Sequence, residues 1–137
     1  MEIEPYVGAG PVRLGTTIEQ VRQSVGAEVT TFKKAPTDEM GTDAFDSVGL
    51  HVYYKPPGVC EALELMAPAD PTFRGRKLLG QPFSQMLKWF RQLDPAVEVD
   101  DAGLTSREFG IALYASAAKK RPSLPVEGVL VFERGYY

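Results

Sequence analysis

An approximate internal repeat is the feature that most constrains the fold of this chain. Two stretches share the order of a helix start, an alternating apolar segment and a second apolar segment. The matching pairs are residues 14–18 with 79–83, residues 49–53 with 110–114, and residues 59–65 with 126–132. A helix followed by strands, present twice, predicts one α+β domain over residues 1–137 with repeat units at about 8–68 and 73–137.

The first unit opens with a predicted helix. Thr16 or Thr17 can accept hydrogen bonds from the free N–H groups of the first turn, and Glu19 adds a favourable charge or capping-box support there. Gly26 is a typical terminator. The apolar stripe of this helix consists of Ile18, Val21 and Val25.

The second unit opens in the same way. Pro82 suits the first turn of a helix, and Asp94 followed by Pro95 ends it. The apolar stripe of this helix consists of Phe83, Met86, Leu87 and Phe90. Both helices therefore have one face to bury against a sheet.

Short segments rich in Val, Leu, Tyr and Phe predict strands after each helix. They cover residues 49–54, 61–66, 109–115 and 128–133, with shorter strands at 29–32 and 97–99. Residues 100–103 have the chemistry of a turn, and residues 34–43 and 116–125 that of loops. The expected fold is α+β, with an antiparallel sheet that carries the helices on one face.

Alternation along these strands separates two faces of the sheet. The residues expected to face the helices are Leu50, Val52, Leu63, Leu65, Ile111, Leu113, Leu130 and Phe132. The residues expected on the other face are His51, Tyr53, Ala62, Glu64, Ala112, Tyr114, Val129 and Val131. That second set is unusually apolar for a solvated surface, and a register shift of one residue would exchange the faces.

Three kinds of cover would explain an apolar outer face. A foreign protein would bind there, a second copy of the chain would cover it in a homodimer, or the N-terminal arm and the 34–43 loop would cover it internally. We expect the terminal Tyr136 and Tyr137 to pack back on the domain; the alternative is that they form a docking tail.

The helix start resembles a known fold unit. The segment Gly15-Thr16-Thr17-Ile18-Glu19-Gln20-Val21, followed by Gly26 and then by apolar strands at 50–54 and 62–65, is similar to the repeat of the β-lactamase inhibitor protein fold and of SmpA/OmlA-type outer-membrane assembly lipoproteins. The resemblance implies helices on one face of an antiparallel sheet, in proteins that bind other proteins. Those relatives carry secretion signals, and the inhibitor has disulfides; neither feature is found in this chain.

Composition narrows the class of partner. Hydrophobic residues make up 44% and charged residues 24%, which is typical of a folded domain. A net charge of −3 disfavours nucleic acid and anionic membranes as partners. One cysteine, together with a start that lacks a signal-peptide pattern, predicts a cytoplasmic protein, and no apolar stretch is long enough for a membrane span.

Catalytic and metal-binding patterns are not predicted. His51 and Cys60 lie on neighbouring predicted strands, but an ordinary sheet histidine and a buried cysteine explain them. One histidine and one cysteine do not supply a structural zinc site. Two acidic groups lack EF-hand spacing but could bind calcium weakly: the loop residues Asp38, Glu39, Asp43 and Asp46, and the residues Asp94, Asp100 and Asp101 near a turn. The loop residues could alternatively steer a basic partner.

The sequence therefore predicts a protein-binding module without an enzyme activity, cofactor or metal, of an inhibitor or immunity type. The residues expected to contact the partner are His51, Tyr53, Glu64, Tyr114, Val129, Val131, Asp38, Glu39 and Asp43. One alternative is a small-molecule binder or enzyme with a pocket near His51. The other is a homodimer whose outer faces cover one another.

Overall fold

The first predicted helix is present as α1 (Ile18–Val25). The computed structural model of the protein describes residues 1–33, 35–37 and 39–137. Thr17 accepts a hydrogen bond from the backbone N–H of Gln20, whose side chain accepts one from the N–H of Thr17. This is a complete capping box, formed by Gln20 rather than by Glu19. Gly26 ends the helix in the left-handed conformation, with φ of 63°.

The second predicted helix is present as α2 (Phe83–Leu93). Pro82 lies immediately before its first turn, and the buried side chains are Phe83, Met86 and Phe90. The helix ends at Asp94, whose carboxylate is buried and accepts hydrogen bonds from the Ser106 hydroxyl and the Ala96 N–H. The stop is therefore fixed by local hydrogen bonds as well as by the proline that follows.

Within the described residues, the main sheet has eight antiparallel strands in the order β10-β11-β12-β13-β7-β6-β5-β4. Their bounds are β4 Thr30–Phe32, β5 Thr42–Phe45, β6 Leu50–Lys55, β7 Val59–Leu65, β10 Glu98–Asp100, β11 Gly103–Ser106, β12 Ile111–Tyr114 and β13 Gly128–Phe132. All six predicted strands are confirmed. Two strands of this sheet were missed: β5, which begins inside the predicted 34–43 loop, and β11, which begins at the end of the predicted turn.

Shorter strands flank the helices. The bounds of the first group are β1 Ile3–Glu4, β2 Gly8–Ala9 and β3 Val12–Arg13, and those of the second are β8 Thr72–Phe73 and β9 Arg76–Lys77. Ile3, Val12 and Phe73 are buried in the same core as the helix stripes. These segments therefore close the edges of the core between the helices and the sheet.

The two halves of the main sheet have the same arrangement: in each half the strands follow sequence order from the edge of the sheet to its centre. From β4 inward the order is β4, β5, β6, β7, and from β10 inward it is β10, β11, β12, β13. The loop before each helix is bonded to the sheet equivalently: Gly15 N–H donates to the Cys60 carbonyl, and Gly80 N–H donates to the Val126 carbonyl. Cys60 therefore corresponds to Val126, whereas the sequence comparison had matched Val59 to Val126.

That one-residue error in the alignment assigned the side chains of β13 to the wrong faces of the sheet. Val129 and Val131 lie opposite Leu65 and Leu63 on β7, so they face the helices and are fully buried. Polar and apolar side chains do not alternate in residues 128–132, so only the repeat alignment indicates which of these side chains face the helices. The helix-facing residues of the four central strands are Leu50, Val52, Leu63, Leu65, Ile111, Leu113, Val129 and Val131. Leu130 and Phe132 therefore belong to the outer face.

Candidate functional site

The outer face of the main sheet, opposite α1 and α2, carries the predicted contact region. One row of cross-strand neighbours crosses it from edge to edge: Glu98, Thr105, Ala112, Leu130, Glu64, His51, Ala44 and Thr30. Leu130 on β13 and Glu64 on β7 meet at its centre. The surfaces on either side of this row differ in how they are covered.

We call the first surface the covered patch; it consists of Tyr53, Ala62 and Phe132, all buried. Tyr6 from the N-terminal arm and Tyr136 from the C-terminal end lie over it. The Tyr6 ring meets the Phe132 ring edge-on at 6.1 Å between centroids, and the Tyr136 ring stacks on Phe132 at 5.8 Å. Internal cover by the N-terminal arm and by the terminal tyrosines is thus confirmed for this patch.

A buried hydrogen bond links the covered patch to the central row. The Tyr53 hydroxyl donates to Glu64 Oε2 at 2.7 Å, and only 8% of Tyr53 is exposed. Burial, together with the hydrogen bond to and the negative charge of Glu64, raises the pKa of the Tyr53 phenol above its ordinary value. The structure therefore corrects the expectation that Tyr53 offers its ring to a partner: this ring is part of a closed surface.

We call the second surface the open groove. It is a cavity of about 360 Å³ whose lining side chains include Ala112, Tyr114, Leu130 and Tyr137. Tyr114 is 49% exposed, and its direct cross-strand neighbours are Gly103 on β11 and Gly128 on β13. Because neither neighbour has a side chain, both flanks of the Tyr114 ring remain accessible.

Carboxylates also line the open groove. Glu64 lies at the centre of the sheet and Asp100 on its edge strand, and both belong to the cavity wall. Just outside it, Glu98 pairs with Arg107 at 3.3 Å and Asp101 with Lys119 at 3.4 Å. In the part of the chain that the structure describes, neither Glu64 nor Asp100 makes an ion pair, so the groove keeps uncompensated negative charge.

Asp43 is not a surface acid. It is 1% exposed, and its carboxylate accepts hydrogen bonds from Arg22 Nε and Nη2 at 2.9 Å and from the hydroxyls of Thr31 and Tyr54 at 2.8 Å. Burial alone would raise the pKa of Asp43, but these hydrogen bonds and the Arg22 charge hold it below its ordinary value. The expected partner contact is therefore a structural ion pair between α1 and the sheet.

His51 is half-buried and has partners of its own. Its Nε2 lies 3.3 Å from Asp46 Oδ1, and its ring meets the Phe32 ring edge-on at 5.7 Å. Cys60 is buried in the core on the helix side of the sheet, so the sheet separates it from His51. Burial raises the pKa of the Cys60 thiol to about 12, which leaves it protonated at neutral pH.

The predicted acidic loop is only partly described. Glu39 is exposed and lines a polar cavity of about 530 Å³ together with Lys55, Glu61 and Tyr136. His51 lines neither this cavity nor the open groove. Asp38 lies outside the described residues.

Residues 1–33, 35–37 and 39–137 contain no group of three or more His, Cys, Asp or Glu residues placed to hold a metal ion. Neither α1 nor α2 is long and apolar enough to cross a bilayer, and the described residues form no other helix that is.

The sequence placed Glu64, Ala112 and Tyr114 on the outer face but did not indicate that Leu130, Asp100 and Tyr137 belong to the groove. The alignment error assigns Leu130 to the core, and the sequence indicates a turn and a weak acidic group at Asp100 rather than a groove wall. Tyr137 was expected to pack back, but nothing in the sequence placed it in the wall of the same groove as Tyr114. The available signal was the pair Gly103 and Gly128, which the correct register puts on either side of Tyr114.

Comparison of the chain with protein-family models, with curated proteins and with solved structures gives no match.

Proposed function

We propose that this protein is a non-catalytic binding module that docks another protein in the open groove of its outer sheet face. The observation that carries the proposal is Tyr114, an aromatic side chain that is 49% exposed between two glycines on a sheet surface. A tyrosine combines a large apolar area with a polar tip and is enriched at the centres of interfaces. The exposed Tyr137 extends the same surface.

The position of the groove also supports protein binding. It lies on a paired antiparallel sheet rather than on a loop, so its shape is held by the backbone hydrogen bonds of β11, β12 and β13. A preformed surface loses little conformational entropy on association. A specific form of this function is inhibition, in which the protein occupies a partner's functional surface in a one-to-one complex.

The experiment is affinity capture from the organism that encodes the protein, with the parent chain beside Tyr114→Asp. We expect one stoichiometric protein to be retained by the parent and lost by the variant. Phe32→Asp is the matched control, because Phe32 is an exposed aromatic residue on the opposite edge strand of the same sheet. Equal retention of that protein by the parent and Tyr114→Asp would contradict the proposal, as would its loss only from Phe32→Asp.

A second variant distinguishes a blocked groove from misfolding of Tyr114→Asp. Gly128→Leu adds a side chain beside Tyr114, and a Cβ there would meet its nearest neighbours at 3.8 and 3.9 Å, which is ordinary contact. The substitution fills the groove while leaving the helix-facing core unchanged. We expect a folded protein, judged by circular dichroism and thermal unfolding, that no longer retains the partner. Inhibition is tested by adding the purified protein to the captured partner and measuring whether the partner's activity falls.

A further inference from the structure

The carboxylates of the open groove stand at its opposite ends. In the strand order, Glu64 on β7 and Asp100 on β10 are separated by β13, β12 and β11. At about 4.8 Å per strand, the separation across the sheet is about 19 Å. The surface between them is mainly apolar: Leu130, Ala112 and the Tyr114 ring form most of it, and Thr105 adds one polar side chain.

The charge of this groove is uncompensated, unlike that of its surroundings. The outer neighbours Glu98 and Asp101 have cationic partners, but the groove lining contains no lysine or arginine among the described residues. A purely apolar partner would partly dehydrate Glu64 and Asp100 without replacing the lost water contacts, which is unfavourable. A partner that places a cation at each end would compensate both carboxylates and still bury the apolar floor.

Arginine fits these ends better than lysine. Its planar guanidinium is weakly hydrated, pairs with a carboxylate through two parallel hydrogen bonds and stacks on aromatic rings. Tyr114 offers its ring between Gly103 and Gly128, and Tyr137 offers a second exposed ring on the same wall. Cation–π contact with these tyrosines would add to the ion pairs.

We propose that the groove binds an extended segment of a partner protein in which two arginines flank a short apolar stretch. This inference rests on the proposed function and specifies the chemistry of its partner. At about 3.3 Å per residue, an extended segment that covers about 19 Å has about six residues.

The test uses three capped hexapeptides with a common Ala-Leu-Val-Ala centre and with arginine, glutamine or glutamate at both ends. Each is titrated into isotope-labelled full-length protein while the Leu130 and Ala112 methyl signals and the Tyr114 ring signals are followed by NMR. We expect the arginine peptide to bind about tenfold more tightly than the glutamine peptide, from two rim ion pairs and one cation–π contact. We expect the glutamate peptide not to bind.

Variants that neutralise single carboxylates test which of them bind the arginines of the peptide. Glu64→Gln and Asp100→Asn should each weaken binding of the arginine peptide about threefold, because each removes one ion pair. Both variants keep an acceptor oxygen, for the Tyr53 hydroxyl and for the Ala102 N–H respectively, so the local fold is preserved. The matched controls are Glu98→Gln and Asp101→Asn, which remove acids already paired outside the groove and should leave binding unchanged.

Several outcomes would overturn the inference. These are equal binding of the arginine and glutamine peptides, signal changes outside the groove, and no binding of the arginine peptide at 10 mM or below. A fourth is a concentration-dependent dimer, measured by sedimentation, that Tyr114→Asp abolishes, since a second copy would then be the occupant. If Tyr114→Asp loses the captured partner but the Glu64→Gln/Asp100→Asn double variant retains it, the proposed function stands and this inference fails.

Discussion

Tyr53 and Tyr114 occupy corresponding places in the two halves of the sheet, yet Tyr53 is buried and Tyr114 is exposed. Tyr53 on β6 pairs with Ala62 on β7, and Tyr114 on β12 pairs with Gly128 on β13. Tyr53 is 8% exposed and Tyr114 is 49% exposed. The strand positions are equivalent, so the difference arises from their surroundings: Tyr53 belongs to a patch that both chain ends cover, and two glycines flank Tyr114.

The helix-facing sides of the two halves differ in chemistry as well. Asp43, which pairs with Val52, corresponds to Leu104, which pairs with Leu113. Tyr54 likewise corresponds to Ala115 by its place in the strand. One half therefore joins its helix to the sheet through an ion pair whose carboxylate is buried, and the other half has apolar side chains at the same positions. The repeat preserves geometry rather than chemistry.

The largest effect is expected from removing the centre of the covered patch. Phe132→Ala deletes a ring that is 2% exposed and contacts Tyr6, Tyr136 and Tyr137, and it should lower the free energy of unfolding by about 3–5 kcal/mol. Leu130→Ala, on the neighbouring half-buried position, should cost about 1 kcal/mol. Urea unfolding of both variants measures the difference, and equal costs would mean that the two surfaces are equally covered.

The next effect concerns the ion pair of the first half. Asp43→Asn should lower the free energy of unfolding by about 1–3 kcal/mol at neutral pH, because it replaces the charge-assisted hydrogen bonds between the buried carboxylate and the half-exposed Arg22 by weaker neutral ones. The folded-state pKa of Asp43 is lowered, so its stabilisation is complete above the unfolded value of about 3.9 and is lost as pH falls through the folded value. Denaturation of both proteins between pH 3 and 7 should show the difference shrinking toward low pH. A pH-independent difference would contradict this account.

A smaller effect compares the two tyrosine hydroxyls directly. Tyr53→Phe removes the donor to Glu64 in a closed environment and should cost about 1 kcal/mol. Tyr114→Phe removes a hydroxyl from an exposed ring and should change the free energy of unfolding by less than about 0.5 kcal/mol. Thermal unfolding of the pair checks the order, and a larger cost at Tyr114 would reverse the assignment of covered and open surfaces.

The sequence predicted the helices and the order of the repeat because these depend on local signals. Helix caps, stop residues and the 3.6-residue periodicity each depend on a few neighbouring residues of the sequence, as at Thr17, Gly26 and Pro82. β5 was missed because an aspartate is typical of a loop, and Asp43 lies in a strand only because Arg22 and Tyr54 donate hydrogen bonds to its buried carboxylate. Tertiary contacts of this kind override local propensity.

The candidate site was harder to predict than the fold. Whether an apolar outer face is covered depends on where the chain ends lie, and residues 1–7 and 133–137 contain no periodic signal for their path. The direction of β13 depended on one position in a weak repeat, which exchanged Leu130 with Val129 and Val131. The glycines beside Tyr114 became meaningful only with the correct strand register.

Site-specific photo-crosslinking tests the central claim most directly. A photoreactive phenylalanine analogue is placed at position 114 in one protein and at position 32 in another, and each is irradiated in the cells that encode the protein. Binding in the open groove predicts one crosslinked partner from position 114 and none from position 32. The same product from position 32 alone, or no product from position 114 in a folded protein, would contradict the account.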